Sequence, residues 1–375
     1  MNKNKMFKQQ GFSLVEVMIG LVIGLIVTLV ITNVFSAFEQ QKRTTTGNSD
    51  AQTNGAIGLY SIQRDAQSAG FGLPVYSDEY SPFNCPTNTT FNHDNVAATP
   101  AIGLSPVVIT DGAGPNGSDT IAIHYGDTMK GGVGMDMLAG SGANLAQVNS
   151  RFGCSTNDVA LIVVAPSAGL VNCSMARVTA VSALGINPQT VTLNLAANVA
   201  SPNVLSCLGA WNENLYAIDA NNQLTRTGTI FNVAGVRTPS AAAVQMVSDI
   251  VNIQAQYGIS AIGDNNQVTQ WVNATGVWAN TALTPTVQNR NRIKSVRIAI
   301  VARNGLLETN NVTAACSSTV AANPTGLCAW DGAAAGSPAP AINLTADPNW
   351  QRYRYRVYET IIPIKNVILS REGLV

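Results

Sequence analysis

Glu16 is the residue whose type and position most directly require a chemical explanation. It lies at the start of an apolar run, and no charged residue occurs in the 22 positions from Val17 to Phe38. That run is long enough to cross the hydrocarbon core of a membrane. An acidic side chain in a spanning helix costs about 2.5–3.5 kcal/mol at the centre and less near an end. Glu16 is therefore a candidate functional residue, since a plain membrane anchor does not need it.

Cysteine is the second residue type that could do chemistry. The chain has six, and all of them follow the apolar run: Cys85, Cys154, Cys173, Cys207, Cys316 and Cys328. Their even number is typical of disulfides formed in an oxidising compartment. Sequence does not fix the pairing, but Cys316 with Cys328 is favoured because a turn-prone loop at 323–326 (Asn-Pro-Thr-Gly) lies between them. The alternative is that some cysteines are reduced and buried.

Motifs of enzymes and of metal sites are absent from the sequence. The only histidines, His93 and His124, cannot form an HExxH zinc site and are expected in strands or loops, and no cysteine pair has CxxC spacing. Neither GxSxG nor a Walker phosphate-binding motif occurs. The glycine-rich stretch at 131–142 lacks GxGxxG spacing and is predicted to be a loop. We therefore expect a protein that is not an enzyme and that uses neither a cofactor nor a metal.

Oxygen-bearing side chains cluster at 111–119. Asp111, Asn116 and Asp119 offer ligands that a calcium ion could use, but their spacing does not match an EF-hand loop. A polar turn that leads into a strand at Asp119 is the preferred interpretation, and calcium binding by this loop stays open.

Arginines and tyrosines alternate in the segment after residue 351. On a strand, one face would carry the arginines and the other the tyrosines: Arg352, Arg354 and Arg356 against Tyr353 and Tyr355. Single-stranded nucleic acid is bound by cations and aromatic rings that share a groove. Because the alternation separates them, we prefer a solvated or partner-facing strand with a tyrosine core, and nucleic acid is not an expected partner.

Composition limits the class of partner further. Lys+Arg and Asp+Glu both number 21 among the 375 residues, so the net charge is zero, and charged residues make up only 11% of the chain. A globally basic protein that coats nucleic acid is therefore disfavoured. Low charge combined with many Ala, Asn, Thr and Gly residues is typical of secreted or surface-displayed bacterial proteins.

The apolar run has the flanks of a single membrane span. Three lysines precede it, Lys3, Lys5 and Lys8, and this basic side is expected to stay in the cytoplasm, with the rest of the chain outside. A secretory signal peptide is the alternative. However, Phe35 occupies the −3 position relative to Ala37, which suits the cleavage site of a signal peptide poorly.

The helical pattern continues beyond the membrane segment, because apolar residues recur at helical spacing at Leu59, Ile62, Ala66 and Ala69. A kink or local melting is predicted in the middle of this helix by four residues with low helix propensity: Gly47, Asn48, Gly55 and Gly58. We divide the chain into four parts: a leader (1–11), a transmembrane helix (12–40), an amphipathic continuation of it (41–70) and a head (71–375).

The head is predicted to be rich in β-strands. Strand patterns occur at 119–126, 158–165, 176–181, 189–195, 251–258, 295–303 and 352–364, and the segment 213–228 predicts a hairpin around residues 220–222. In 251–258 the alternation places four residues on one apolar face: Val251, Ile253, Ala255 and Tyr257. No internal repeat or second domain boundary is evident. The sequence thus predicts an α+β fold, a long N-terminal helix packed on one large antiparallel head.

The lysine-rich leader, the junction Gly11-Phe12-Ser13-Leu14-Val15-Glu16 and the apolar helix after it resemble type IV pilins and pseudopilins. The resemblance implies that a membrane peptidase cuts between Gly11 and Phe12 and that Phe12 is then N-methylated. Glu16, one helical turn or about 6 Å from the new terminus, would pair with the terminus of a neighbouring subunit. Burial of its charge would then be tolerated only in the correct register.

Three segments of the head carry a narrower resemblance, to PilW-type minor pilins of type IV pili. They are MVSDIVNIQAQYGIS, KSVRIAIVAR and RYRYRVYETIIPIKN, in that order. J-type pseudopilins of type II secretion and minor pilins of DNA uptake are the alternatives. The resemblance implies priming of pilus assembly, a place at or near the fibre tip, and passage from the inner membrane to the cell surface. The implied partners are other minor pilins, the major pilin, the prepilin peptidase, the inner-membrane platform and a tip adhesin.

Overall fold

The computed structural model describes residues 11–74, 85, 104–128, 132–142, 144–167, 170–194, 203–231, 237–239, 242–263, 267–281, 285–331 and 333–368. Within them lie three α-helices: α1 (Leu14–Gln67), α2 (Val287–Arg292) and α3 (Lys365–Ile368). The chain divides into two compact units, one that ends at Asp50 and one that begins at Ala51. All the strands of the described residues belong to the second unit.

These strands form three antiparallel sheets. Numbered along the chain, they are β1 (Val107–Thr110), β2 (Thr120–Gly126), β3 (Gly134–Asp136), β4 (Leu145–Val148), β5 (Val159–Ser167), β6 (Leu170–Val181), β7 (Gln189–Leu193), β8 (Asn203–Cys207), β9 (Trp211–Ile218), β10 (Gln223–Phe231), β11 (Arg237–Pro239), β12 (Val244–Ser248), β13 (Ile250–Ile259), β14 (Gln270–Val272), β15 (Ile293–Arg303) and β16 (Tyr355–Pro363). The first sheet has the order β1-β2-β9-β10-β11, with β12 also paired to β10; the second is β14-β13-β15-β16; the third is β3-β8-β5-β6-β7-β4. The predicted α+β fold is confirmed.

The hairpin predicted at 213–228 is formed by β9 and β10, which pair from Leu224 and Ile218 outward. The carboxylate of Asp219 closes the turn, because its Oδ1 accepts the backbone N–H groups of Asn221 at 2.9 Å and Gln223 at 2.8 Å. Asn222 has a φ of 58°, a left-handed conformation that asparagine tolerates better than most residues.

The part of α1 from Ala51 onward presents a face of small residues to the sheets. The buried positions recur every three or four residues, which is the spacing of one helical face: Ala51, Gly55, Gly58, Ile62, Asp65, Ala66 and Ala69. The prediction that Ile62, Ala66 and Ala69 face the head is confirmed, since all three are fully buried in the main core. Leu59 is half-buried and packs against the same core.

Of the kink or local melting predicted for the middle of this helix, local melting is contradicted at the two glycines of this face. The helix α1 continues through Gly55 and Gly58. A Cβ atom at Gly55 would overlap the ring of Tyr358 on β16, and one at Gly58 would lie 3.1 Å from Leu224 Cδ2. Glycine at these two positions therefore permits the close approach of α1 to the first and second sheets.

Asp65 is the one acidic residue on the buried face of α1, and it is bound by the first sheet. Its Oδ2 accepts hydrogen bonds from Asn214 Nδ2 and from the Tyr216 hydroxyl, both at 2.8 Å. The Nε atom of Arg226 on β10 lies 3.5 Å from the same oxygen. Burial, followed by the hydrogen bond to Asp65, raises the pKa of Tyr216 above its ordinary value, so this hydroxyl remains a donor. The carboxylate thus fixes α1 against β9 and β10.

The alternation predicted for β13 fails at its first residue. The pairing of β13 with β15 shifts between Ile250 and Asn252, which marks a β-bulge. Val251 consequently packs in a separate cluster with Val301, whereas Ile253, Ala255 and Tyr257 face the main core as predicted. The extra residue of the bulge accounts for the difference, because it reverses the side-chain direction on one side of it.

The polar face of the second sheet is buried as well. Loops cover it: Gln254 Nε2 donates to Gly117 O at 2.8 Å, and Gln256 Nε2 donates to Pro338 O at 3.0 Å. Arg297 Nε donates to Gln256 Oε1 at 2.6 Å, and its guanidinium lies 4.6 Å from the ring centroid of Trp330. Side chains of the strands therefore supply the hydrogen bonds that the covering loops require.

Two further predictions are corrected by the structure. The glycine-rich stretch at 131–142 is not only a loop, because it contains β3, which pairs with β8 and buries Met135 and Met137. The arginines at 352–356 do not share one strand face. Arg352 ends a single 3-10 turn, and β16 begins only at Tyr355. A short helical turn cannot be seen in an alternating pattern.

The loop at 111–119 is the polar turn predicted before β2. The Oδ1 atom of Asp119 accepts the backbone N–H of Gly112 at 2.9 Å, and Oδ2 accepts that of Ala255 at 2.7 Å. Ser118 Oγ accepts the N–H of Ile253 at 3.0 Å, so this loop satisfies the edge of β13 where no strand pairs with it. No group of metal-binding side chains is found within the described ranges. Burial raises the pKa of Asp119 to about 7, and its two backbone hydrogen bonds oppose that rise.

We expect the substitution Gly55→Ala to destabilise the second unit by about 1–3 kcal/mol. The new methyl group must displace the Tyr358 ring, and this cost exceeds the gain of about 1 kcal/mol in helix propensity. The measurement is urea unfolding of the full chain in detergent, followed by tryptophan fluorescence. Gly20→Ala is the control, because a Cβ atom there meets nothing within 4 Å. Equal stability of Gly55→Ala and the unchanged chain would contradict the close approach.

We also expect the stability of the second unit to fall as the pH rises from about 4 to about 7. Asp119 has a pKa of about 7 in the fold and 3.8 as its ordinary value, so the folded state holds a proton that the unfolded state has lost. Between pH 5 and pH 8 the loss amounts to at most about 3 kcal/mol. It is measured as the free energy of unfolding at pH 5 and at pH 8.

The variant Asp119→Asn tests the source of this pH dependence. It loses one backbone hydrogen bond and is less stable at pH 5, but its stability changes less between pH 5 and pH 8. Asp136→Asn is the control, since Asp136 lies exposed on β3. If Asp119→Asn retains the full pH dependence, another group is responsible.

Candidate assembly site

The start of α1 is a capping box built from Ser13 and Glu16. The Ser13 carbonyl accepts the first helical hydrogen bond, from Val17 N at 3.3 Å. Ser13 Oγ accepts the backbone N–H of Glu16 at 3.2 Å, and Glu16 Oε2 accepts the backbone N–H of Ser13 at 2.9 Å. Two N–H groups that the helix leaves without a partner are thereby satisfied. The Glu16 carboxylate has a local hydrogen-bond donor in the unprocessed chain.

Sequence reasoning identified Glu16 but missed the role of Ser13. The signal was present, since Ser-x-x-Glu directly before an apolar run is the pattern of a capping box. Gly11 and Phe12 precede the first helical residue and have no regular secondary structure. The side chain of Phe12 is 85% exposed, and a Cβ atom at Gly11 would meet nothing within 4 Å. The backbone between these two residues is therefore open to another protein.

The first part of α1 carries a predominantly apolar surface. An 18-residue window of this helix has a mean hydropathy of 2.8, and none of that window is buried. The large apolar residues from Leu14 to Phe38 each expose about half or more of their surface. Water does not stabilise such a surface, whereas a lipid core or the apolar helices of other subunits do.

The hydroxyl groups within this surface are satisfied inside the helix. Thr32 Oγ1 donates to Thr28 O at 2.8 Å, Ser36 Oγ donates to Thr32 O at 2.9 Å, and Thr28 Oγ1 donates to Leu25 O at 2.9 Å. A hydroxyl bonded to the preceding turn adds no unpaired polar atom to an apolar face. These three hydroxyl groups can therefore be covered by lipid or protein without loss of a hydrogen bond.

All six cysteines are paired. The disulfides join Cys85 to Cys173, Cys154 to Cys207 and Cys316 to Cys328, with Cα–Cα distances of 5.6, 5.1 and 4.8 Å. The third pair is the one that the sequence favours. It closes a short loop in the segment between β15 and β16 and is half-exposed, whereas Cys154 and Cys207 are buried in the core of the third sheet.

The other residues considered for a site are used by the fold. His124 is buried on β2, where Nδ1 lies 2.6 Å from Ser105 O and Nε2 lies 3.1 Å from Glu213 Oε2. His93 lies outside the described residues. Arg352 Nε donates to Glu308 O at 2.8 Å, and Arg354 Nε donates to Glu308 Oε1 at 2.8 Å. These two arginines hold the segment before β16 against Glu308.

Comparison with known families finds matches in two regions of the chain. Residues 6–32 match the prokaryotic N-terminal methylation motif, which includes Gly11, Phe12 and Glu16. Residues 215–366 match the family of the type IV pilus-assembly protein W, from β9 to α3. No curated protein and no solved structure matches the chain. The capping box and the apolar helix as far as residue 32 lie inside the first match, and the second sheet lies inside the second. The two matches support a PilW-type minor pilin of type IV pili.

Proposed function

We propose that this minor pilin is cut between Gly11 and Phe12 by a prepilin peptidase, methylated on the amine of Phe12, and held in the inner membrane by the segment 12–40. The exposed, irregular backbone at the junction is the observation that carries the proposal, because a peptidase needs an extended substrate. The lysines at positions 3, 5 and 8 support a cytoplasmic N-terminus and a periplasmic head.

Glu16 sets the register of assembly in this proposal. In the uncut chain its carboxylate accepts the Ser13 N–H. After cleavage a positively charged amine forms at Phe12, and the amine of a neighbouring subunit is a stronger partner than a neutral amide. A helix that packs one position out of register leaves the carboxylate without that partner in a surrounding of low polarity. Correctly placed subunits are thereby selected.

The apolar surface of α1 determines the class of partner. It suits other helices of the same character, those of the other minor pilins and of the major pilin, after the chain leaves the lipid. The head of residues 71–375 is bulky, with three sheets in its described part. Such a head is accommodated more easily at the end of a fibre, beside a tip adhesin, than in every repeat along it. We therefore place this protein in the complex that primes assembly from the inner-membrane platform.

The proposed maturation is tested by the N-terminal mass of the protein from its host membranes, with and without the prepilin peptidase. We expect a chain that starts at N-methylated Phe12, and only when the peptidase is present. Gly11→Val should abolish the cut, because Gly11 lies at the cleavage site, while Gly24→Val should leave the cut intact. The two variants are matched, since a Cβ atom at either glycine meets nothing within 4 Å and neither change disturbs packing. An intact Met1 start, or a cut beyond residue 35, would refute the proposal.

The role of Glu16 is tested by incorporation into pili. We expect Glu16→Gln to be cut and anchored normally but to be at least tenfold depleted from sheared pili, since it removes the charge that pairs with the neighbouring amine. Ser13→Ala is the matched control. It removes the hydroxyl cap, worth about 1 kcal/mol, but keeps the carboxylate, so it should be incorporated almost normally.

Equal depletion of both variants would mean that the capping box, rather than the charge, is what assembly requires. Gold-labelled antibodies against the head, applied to the same sheared pili, locate the protein on the fibre. Labelling along the whole length would contradict the tip position.

A further inference from the structure

A cleft with a volume of about 270 Å³ lies in the head where the first and second sheets meet the segment before β16. The turn at 115–117, the β9–β10 turn, the end of β15 and the segment 344–347 each contribute to its walls. Its volume is just below the roughly 300–1,000 Å³ of sites for drug-sized ligands, so a single small molecule fits it.

Arg303 supplies the positive charge of this cleft. Its guanidinium lies 4.6 Å from the ring centroid of Tyr353, and Nη2 and Nη1 lie 3.6 and 3.7 Å from carboxylate oxygens of Asp249 and Asp347. These distances exceed those of hydrogen bonds. The side chain is only 17% exposed, and its Nε is buried without a hydrogen-bond partner. Nη1 and Nη2 make no hydrogen bond of ordinary length to these carboxylates, so their N–H groups can donate to an acceptor inside the cleft.

Acceptors and a hydroxyl line the same space. Asp347 uses Oδ1 to accept the N–H of Asn349 at 2.9 Å, whereas its Oδ2 has only the distant Arg303. Asn116 donates through Nδ2 to Val251 O at 3.4 Å, which leaves its Oδ1 without a partner in the described part of the chain. Burial raises the pKa of Tyr355 above its ordinary value, so its hydroxyl stays protonated and can donate. Donors and acceptors therefore face one cleft together.

The backbone around the cleft is also unusual. Five non-glycine residues have a positive φ in the described ranges, and three of them lie here: Asn116 (56°), Asn222 (58°) and Asp249 (58°). Asparagine and aspartate adopt this conformation at modest cost. Such positions concentrate at binding sites, where they aim side chains at a ligand.

The charges select the class of ligand. Two carboxylates beside Arg303 disfavour an anion, and the guanidinium disfavours a cation. A neutral molecule whose groups both donate and accept hydrogen bonds can bond to Arg303, Asp347 and Asn116. Its C–H groups can pack against the apolar side chains of Val251 and Leu344. Sugar hydroxyls have this property. We propose that the cleft binds one neutral sugar residue of a glycan.

The proposal is independent of the assembly role, and it is tested with the full chain in lauryldimethylamine oxide, a detergent without a sugar headgroup. Saturation-transfer NMR titrations use glucose, galactose and N-acetylglucosamine as probes. Glucuronate and glucosamine are the matched anionic and cationic probes. We expect transfer to at least one neutral sugar with millimolar affinity, and weaker binding of both charged probes.

Variants assign the binding to the cleft. Arg303→Gln should lower the affinity about ten- to a hundredfold, the effect of losing a charged hydrogen bond, and Tyr355→Phe about three- to tenfold, the effect of losing a neutral one. Two milder variants keep the test valid if Arg303→Gln does not fold. Tyr355→Phe removes only one oxygen, and Asn222→Gly removes a lining side chain while glycine accepts the positive φ at this position. Arg177→Gln is the control outside the cleft, because Arg177 lies on β6 of the third sheet, which does not line the cleft.

The proposal is overturned by any of three results. They are the absence of transfer to every neutral sugar, tighter binding of glucuronate or glucosamine than of glucose, and unchanged affinity in the Tyr355→Phe and Asn222→Gly variants. Loss of binding in Arg177→Gln as well as in the cleft variants would also place the site elsewhere.

Discussion

The close contact of α1 with the first and second sheets is the interaction on which the second unit depends. Glycine at positions 55 and 58 lets the helix backbone approach the side chains of Tyr358 and Leu224. Close contact leaves no space for water, so the one carboxylate on this face must find donors in the protein. Asp65 finds them in Asn214 and Tyr216, two residues apart on β9 and therefore on the same face of that strand. Small side chains and a buried acceptor thus specify one position of the helix.

Buried polar side chains also find partners within the protein in the second sheet. Its strands β13 and β15 are buried almost completely on both faces. An apolar core covers one face. On the other, Gln254 and Gln256 hold loop carbonyls, and Arg297 links Gln256 to the segment around Pro338. Polar side chains in a strand normally indicate contact with water, but here they bond to irregular backbone that has no regular partners of its own. The long segment between β15 and β16 is ordered by this exchange.

These features show which parts of the molecule are predictable from sequence. The long apolar helix, the hairpin of β9 and β10 and the α+β class follow from periodicity, and the Glu16 motif follows from spacing. The bulge at Val251 and the covered polar face of β13 do not, because both arise from contacts between distant segments. Gly55 illustrates the limit well: propensity alone marks it as a weak point, and only the position of Tyr358 shows that a small residue is needed there. The cleft at Arg303 likewise combines residues almost 240 positions apart.

Glu16 and Asp65 show how one helix handles two carboxylates in different surroundings. Asp65 is buried, and three groups from two strands lie within 3.5 Å of one of its oxygens. These partners cannot be replaced by others without unfolding this part of the protein. Glu16 is exposed, and its carboxylate accepts the backbone N–H of Ser13, three residues away. Replacing that one neutral donor by a charged amine requires no rearrangement of a core. The contrast explains why the proposed assembly contact is placed at the helix start, where a partner can be changed, and the permanent attachment to the head at its end.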